Sequence, residues 1–204
     1  MQIEKFGIII DKARNLLKEL FDINKIPESH GLNHCDIVLQ HMENSLSINS
    51  HNLQISKDRQ LSLLLGALLH EADDHKYFDK TKNAENILLE VLENQPNKDK
   101  IVEESLEVID LVSASDNGNS IPERCMQNPE LLWVRFCDRL EAVGKIGVVR
   151  CYQFTLEKKR ALDHPEAPKP TSIEDVWKFA TKNRFDEYMR IKTSRSMIDH
   201  YYDK

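Results

Sequence analysis

The segment "LSLLLGALLHEADDHKYF", residues 61–78, decides the fold because an apolar helical pattern ends within it and a polar cluster begins. Its leucines recur at the spacing of one helix face, which is typical of a helix that packs in a core. The seven positions from His70 to Lys76 then hold two histidines, three carboxylates and one lysine. A helix end in solvent explains only some of these groups, so the segment also predicts the edge of a site.

The same helical spacing of apolar residues recurs along most of the chain, without the sustained alternation that strands require. We therefore predict an all-α protein. The expected helices lie near residues 2–23, 33–48, 57–75, 80–94, 98–113, 129–161 and 172–203. Loops rich in Pro, Gly, Asn, Asp or Ser separate them at 94–99, 113–129 and 163–172, and none resembles a flexible linker, so we expect one domain spanning residues 1–204.

Composition excludes several classes of protein. The chain has 204 residues and a formal net charge of −6, which does not favour a broad surface for nucleic acid. We expect no membrane span, since no apolar run approaches about 20 residues. The sequence shows no signal segment, and the four cysteines form no CxxC pair, which predicts reduced thiols and a cytoplasmic protein.

Two segments place histidines and carboxylates at helix ends. His34 falls in the first turn of the predicted helix 33–48 and should face inward, either as a core histidine bonded to a carbonyl or as a ligand. His70 and Glu71 end the leucine-rich helix, with Asp74 at i+4 from His70. The zinc-protease motif HExxH is absent, because Asp74 stands where its second histidine would be and His75 comes one position late.

A third segment, "LLWVRFCDRLEAVGKIGVVRCYQF" at 131–154, carries Asp138 among apolar residues. A buried carboxylate requires a cation or several donors, and an ion pair with Arg135 or Arg139 is one solution. The other solution is a metal ion. Two imidazoles and two carboxylates on different helices suit Mn²⁺, Mg²⁺, Fe²⁺, Co²⁺, Ni²⁺ or Zn²⁺ and leave positions open for water and substrate. The proposed ligands are His34, His70, Glu71 and Asp138.

This order of residues resembles the HD superfamily of metal-dependent phosphohydrolases, whose pattern is a histidine, an adjacent His-Asp pair and a distant aspartate around one divalent ion. The flanking strings "SHGLNH", "ALLHEADDHKYF" and "CDRLEAVGKIGVVR" are similar to small single-domain HD proteins, some of them nucleotide pyrophosphohydrolases. The likeness covers residues 29–150 and, more weakly, "SMIDHYYDK" at 196–204. It implies the helical HD-domain fold and one divalent ion, with Mn²⁺ or Mg²⁺ favoured and Co²⁺, Ni²⁺, Fe²⁺ or Zn²⁺ possible.

The chain departs from the family pattern at Glu71, where the family has aspartate. Glutamate is also an oxygen ligand and is one methylene longer. Either it binds the ion directly at a shifted position, which we favour, or it binds weakly while Asp73 or Asp74 takes part through a water.

The resemblance implies hydrolysis of a nucleoside phosphate, with a (deoxy)nucleoside triphosphate releasing pyrophosphate as the expected reaction. Asp74 is the predicted group that orients or deprotonates the attacking water. Asp73 is a second candidate, although it could equally cap or pair at the surface. The predicted contacts to substrate are Lys76, Arg139, His30 and Lys145.

Three other functions use similar residues. A binding module would hold metal and nucleotide without turnover, and Glu71 would be the disabling change. A phosphodiesterase or hydrolase of cyclic or hyperphosphorylated nucleotides would use the same ligands. Oxygen chemistry at a di-iron centre ranks lower, because it requires further histidines and only His41 and His75 are obvious candidates. In each case we expect a nucleotide or other small molecule as partner, with neither nucleic acid nor membrane, and a monomer or homodimer.

Overall fold

The computed structural model describes residues 6–49, 55–113, 117, 120–165, 169–179, 196–198 and 201. These residues form helices and connecting turns without a β-strand, which confirms the all-α prediction. The α-helices are α1 (Gly7–Asn24), α2 (Leu32–Asn49), α3 (Lys57–Leu69), α4 (Asn83–Val91), α5 (Lys98–Val112), α6 (Glu123–Gln127), α7 (Trp133–Leu140), α8 (Gly144–Glu157) and α9 (Ile173–Phe179). Two 3₁₀ turns, Glu28–His30 and Pro129–Leu132, precede α2 and α7.

The chain divides into two compact units, Met1–Arg139 and Leu140–Lys204. The first unit contains all four proposed metal ligands. A single domain over residues 1–204 therefore stays a prediction. No described helix is both long enough and apolar enough to cross a bilayer.

Helix α3 is the centre of the first unit. Every residue from Leu61 to Leu69 is buried, and the helix packs against α1, α2 and α5. A helix that is apolar on all sides must be surrounded by other helices, which explains this central position. Its beginning is fixed by Ser56, whose side chain accepts a hydrogen bond from the backbone N–H of Arg59 at 3.2 Å.

A glycine in α3 allows α5 to approach closely. A Cβ atom placed on Gly66 would lie 2.8 Å from Cγ1 of Val108. That distance is shorter than a van der Waals contact, so any side chain at residue 66 would push the two helices apart. The spacing of α3 and α5 therefore depends on glycine here.

The prediction of one helix over 57–75 is wrong beyond Leu69. Residues 70–73 form a turn, and the imidazole Nδ1–H of His70 donates to the carbonyl oxygen of Ala67 at 2.9 Å. A side chain that caps a carbonyl of the last turn stabilises the end of a helix. The polar cluster from His70 to Lys76 thus lies on a turn, and Asp74 does not share a helix face with His70.

The prediction of one helix over 129–161 is also wrong. Helix α7 ends at Leu140, and α8 begins at Gly144, whose φ of 61° lies in the left-handed region that glycine adopts most readily. In the second unit, a Cβ on Gly147 would overlap the carbonyl of Ala142. The two glycines thus serve the turn between helices.

Two further segments differ from expectation. The predicted loop 113–129 contains the short helix α6, whose Cys125 is buried. Of the helix predicted over 172–203, Ile173–Phe179 is observed, and most of the remainder lies outside the described residues.

Candidate metal centre

Three segments of the first unit bring the four proposed ligands together. His34 is in the first turn of α2, directly after the 3₁₀ turn Glu28–His30. His70 is the residue that ends α3, and Glu71 follows it in the turn. Asp138 comes from α7. Both imidazoles and the side chain of Glu71 are buried, whereas the side chain of Asp138 is 28% exposed, which leaves one side of the group accessible.

The distances between the ligand atoms are short. Nε2 of His34 lies 3.2 Å from Nε2 of His70 and 3.2 Å from Oδ1 of Asp138. Oε1 of Glu71 lies 3.6 Å from each of the two Nε2 atoms. Nε2 of His70 lies 3.9 Å from Oδ1 of Asp138.

These distances match the edges of a coordination polyhedron. Bonds of about 2.1 Å to one ion separate neighbouring ligand atoms by about 3.0 Å at a right angle and about 3.4 Å at a tetrahedral angle. Opposite ligand atoms are about 4.2 Å apart by the same geometry. All of the distances given above fall within this range, and the ligand atoms of His34, His70 and Asp138 lie close enough together to hold one divalent ion. Glu71 lies within 3.6 Å of both imidazoles, from where it could join them as a further ligand.

The tautomer of His70 also fits a ligand. Its Nδ1 must carry the proton, since a carbonyl oxygen, that of Ala67, can only accept. The lone pair is then on Nε2, which faces His34 and Asp138. A backbone carbonyl that orients the distal nitrogen in this way is a common support for a metal-binding histidine.

Glu71 lies in a protein environment that opposes its charge. Burial raises the pKa of Glu71 well above its usual value, and although Lys76 opposes this effect, Asp74 and Asp138 raise the pKa further. Without a cation, this environment favours the protonated form of Glu71, whose side chain makes a hydrogen bond with Asp74. A metal ion must replace that proton to bind.

Asp74 forms a second polar group beside the first, with His30 and Lys76. Nζ of Lys76 lies 2.8 Å from Oδ2 of Asp74 and 3.3 Å from Nε2 of His30. Burial alone would raise the pKa of Asp74, but the charge of Lys76 and the hydrogen bonds from Glu71 and Lys76 lower it well below its usual value. Asp74 thus remains a carboxylate next to the proposed metal ligands. Its lowered pKa makes it a weak base, so it suits orienting a water and taking up its proton where a bound ion makes that water more acidic.

The carboxylate of Asp73 points to α4. Its Oδ1 accepts hydrogen bonds from the hydroxyl of Thr81 at 2.6 Å and the backbone N–H of Asn83 at 2.7 Å, and its Oδ2 accepts from the N–H of Ala84 at 2.9 Å. Lys82, in the N-cap position of α4, makes no side-chain cap hydrogen bond. Asp73 therefore caps the N-terminus of α4 although it lies ten residues before the helix begins, and we assign it a structural role.

The two arginines near Asp138 differ in their contacts. Arg135 is buried and donates to the carbonyl oxygens of Leu111 at 2.6 Å and Ser120 at 2.9 Å. It therefore anchors the last turn of α5 and the segment that follows it to α7. Arg139 is half-buried, and burial lowers its pKa while Asp138 opposes the shift. Arg139 remains a candidate contact for substrate. Lys145 is exposed on α8 in the second unit.

Two residues that sequence reasoning did not single out hold His30 in place. Nδ1 of His30 lies 2.8 Å from the hydroxyl of Ser29 and 3.1 Å from that of Tyr77. The position of Ser29 next to His30 was a weak signal in the sequence. Tyr77 is separated from His30 by 47 positions, and no local pattern could have revealed the contact.

Among curated proteins, an uncharacterized protein of Acanthamoeba polyphaga mimivirus, L803, is 32% identical over 187 residues, which cover 86% of this chain and 73% of the viral protein. The chain belongs to the same family as this viral protein. Its fold is similar to a crystal structure of a structural-genomics target from Lactobacillus plantarum, with a TM-score of 0.64 and 20% identity over 98% of this chain and 80% of that chain. At that identity the likeness shows the fold alone. No family model matches the sequence.

Proposed function

We propose that the protein is a metal-dependent phosphohydrolase of the HD superfamily that acts on nucleoside phosphates, with (deoxy)nucleoside triphosphates as substrates and pyrophosphate as the leaving group. The partner is then a small nucleotide, and the compartment is the cytoplasm. A monomeric or homodimeric state stays a prediction.

One observation carries the proposal: Nε2 of His34 lies 3.2 Å from both Nε2 of His70 and Oδ1 of Asp138. Gathering imidazole and carboxylate lone pairs in a buried place costs free energy unless a cation binds between them. Segments separated by more than thirty positions along the chain supply these groups, so local sequence constraints do not account for the arrangement.

The donor set favours particular ions. Two carboxylates and two imidazoles suit Mn²⁺ or Mg²⁺ better than a site with thiolates would, and Co²⁺, Ni²⁺, Fe²⁺ or Zn²⁺ also accept such ligands. When bound, an ion of this kind supplies Lewis acidity toward a phosphoryl oxygen and makes a water more acidic.

The protein's own side chains then have separate roles. Asp74 accepts a proton from the water whose oxygen forms a bond to the α-phosphorus. The bond from that phosphorus to the bridging oxygen breaks, and pyrophosphate leaves with the electron pair. Lys76 keeps Asp74 ionised and, together with Arg139, would offer hydrogen-bond donors to the phosphoryl oxygens, while His30 positions the ammonium of Lys76 beside them.

The test is hydrolysis by the purified protein with Mn²⁺ and a panel of nucleoside triphosphates, with pyrophosphate and phosphate both measured. His70→Ala should abolish product formation. His41→Ala is the matched control, because His41 lies on α2 outside the ligand group and its replacement should leave the rate unchanged.

Two results would change the assignment. Tight nucleotide binding without product in the wild-type protein would favour a binding module. Cleavage of cyclic or hyperphosphorylated nucleotides, but not of triphosphates, would retain the reaction class and replace the substrate class.

A further inference from the structure

A second group of ligand-type side chains lies next to the proposed metal centre. Single donor atoms of His30, Glu71 and Asp74 lie within 4.8 Å of one another. The ammonium of Lys76 lies against this group, 2.8 Å from Oδ2 of Asp74 and 3.3 Å from Nε2 of His30. A lysine thus contacts residues that, by type and spacing, could bind a cation.

Both the backbone and the side chain of Lys76 bind the carboxylate of Asp74. The backbone N–H of Lys76 donates to Oδ1 of Asp74 at 2.9 Å, while Nζ donates to Oδ2 of the same carboxylate. Because an ammonium can only donate, Nε2 of His30 must accept, and Nδ1 carries the proton toward Ser29 and Tyr77. Each neighbour is therefore oriented toward the positive charge.

We propose that the ammonium of Lys76 occupies a second cation position and thereby keeps the centre mononuclear. When a neutral side chain replaces Lys76, His30, Glu71 and Asp74 bind a second divalent ion. This inference rests on the metal centre of the proposed function, and it adds the number of ions and the residue that sets it.

The charges of the ion-loaded centre support this arrangement. Ionised Glu71, Asp74 and Asp138 carry three negative charges, and one divalent ion with the Lys76 ammonium carries three positive charges. Removal of the lysine leaves the largely buried carboxylate of Asp74, whose side chain is 10% exposed, without its cation. The backbone N–H of residue 76 still donates to this carboxylate, and the exposed His75 lies 3.7 Å from it, but neither balances its charge as the ammonium does. A largely buried carboxylate whose charge is not balanced is costly, which favours uptake of another cation.

The distances allow a second ion after a small movement. Opposite ligands of an ion with bonds of about 2.1 to 2.2 Å are about 4.2 to 4.4 Å apart. The donor atoms of His30, Glu71 and Asp74 are separated by at most 4.8 Å with the lysine present. A contraction of about half an ångström is within side-chain motion once the ammonium is gone.

The arrangement also indicates how substrate binds. Two-metal phosphoryl-transfer sites place two positive charges about 3.5 to 4 Å apart, so that one oxyanion bridges them. Here the ammonium replaces the second ion. The ammonium of Lys76 would then supply the second positive charge to a phosphoryl group of the substrate, next to Asp74.

The experiment counts metal ions in the full chain. Wild-type protein, Lys76→Ala, Lys76→Arg and the double variant Lys76→Ala/Asp74→Asn are loaded with Mn²⁺ and desalted, and manganese per chain is measured by mass spectrometry. Electron paramagnetic resonance then tests for an exchange-coupled pair of Mn²⁺ ions. We expect one ion in the wild type and in Lys76→Arg, which keeps a cation. We expect two coupled ions in Lys76→Ala and one in the double variant.

The outcomes separate this inference from the proposed function. One ion in both the wild type and Lys76→Ala, or two in both, overturns the inference and leaves the metal centre standing. No ion in any variant overturns both. Lys76→Gln, which keeps most of the aliphatic stem, should also bind two ions, so a folding defect of Lys76→Ala does not prevent the test.

Discussion

Replacement of Asp73 by alanine tests whether this carboxylate is structural, in contrast to the proposed catalytic carboxylate of Asp74. The change removes the acceptor of the backbone N–H groups of Asn83 and Ala84 at the beginning of α4. Loss of an N-cap costs about 0.5 to 2 kcal/mol. Because Asp73 is half-buried and serves two N–H groups, we expect the upper half of that range, about 1 to 2 kcal/mol.

The assay combines urea and thermal unfolding with nucleotide hydrolysis. For a chain of this length, about 1 to 2 kcal/mol corresponds to a fall in Tm of about 2 to 8 °C. The rate per folded molecule should stay within about twofold, while Asp74→Ala should lower kcat by about 10² to 10⁴ if Asp74 accepts the proton. Asp79→Ala is the matched control, since this exposed carboxylate lies in the same connection and should change stability by less than about 0.5 kcal/mol.

The reasoning fails if Asp73→Ala unfolds at the same urea concentration as the wild type and yet hydrolyses nucleotide a hundredfold more slowly. That result would place Asp73 in the reaction. Asp73→Asn keeps an acceptor oxygen without the charge, so it should recover part of the stability that alanine loses.

Three further predictions concern the core and the centre. Gly66→Ala should destabilise the protein by about 1 to 3 kcal/mol in urea unfolding, and Val108→Ala in the same chain should recover part of that loss, because the new Cβ meets Cγ1 of Val108 at 2.8 Å. Free Mn²⁺ at 100 times its Kd should add about 2.7 kcal/mol and raise Tm by about 5 to 11 °C in a thermal scan, with no response in His34→Ala. Glu71→Gln should weaken Mn²⁺ binding at least tenfold by titration calorimetry, whereas an unchanged Kd would show that Glu71 is not a ligand.

Apolar periodicity predicted the helices well because burial dominates the stability of each one. The leucines of α3 are buried as expected. Their spacing specifies a helix, but it does not determine where that helix begins or ends. The ends depended on other interactions. His70 caps Ala67, and Gly144 adopts a left-handed φ of 61°, so helices that seemed continuous in sequence stop early.

The candidate site could be predicted from residue types, but its supporting contacts could not. His34, His70, Glu71 and Asp138 stood out because polar groups in apolar helices need partners. The cap that Asp73 provides joins residues up to 11 positions apart through a turn, without a helical or strand period to reveal it. Asp74 was selected by a helix-face argument that the turn invalidates, yet the turn itself brings it next to Glu71.

The turn also explains why glutamate fits where the HD pattern has aspartate. Because α3 ends at Leu69, Glu71 is not carried on a helix face, and its side chain must reach back toward the imidazoles. It does so, with Oε1 3.6 Å from both Nε2 atoms. Aspartate in place of Glu71 is shorter by one carbon–carbon bond of about 1.5 Å. Its carboxylate oxygen would lie as far as about 5 Å from the two Nε2 atoms, and two ligands of one ion are not that far apart. In this chain the longer side chain therefore reaches both imidazoles, where aspartate would not.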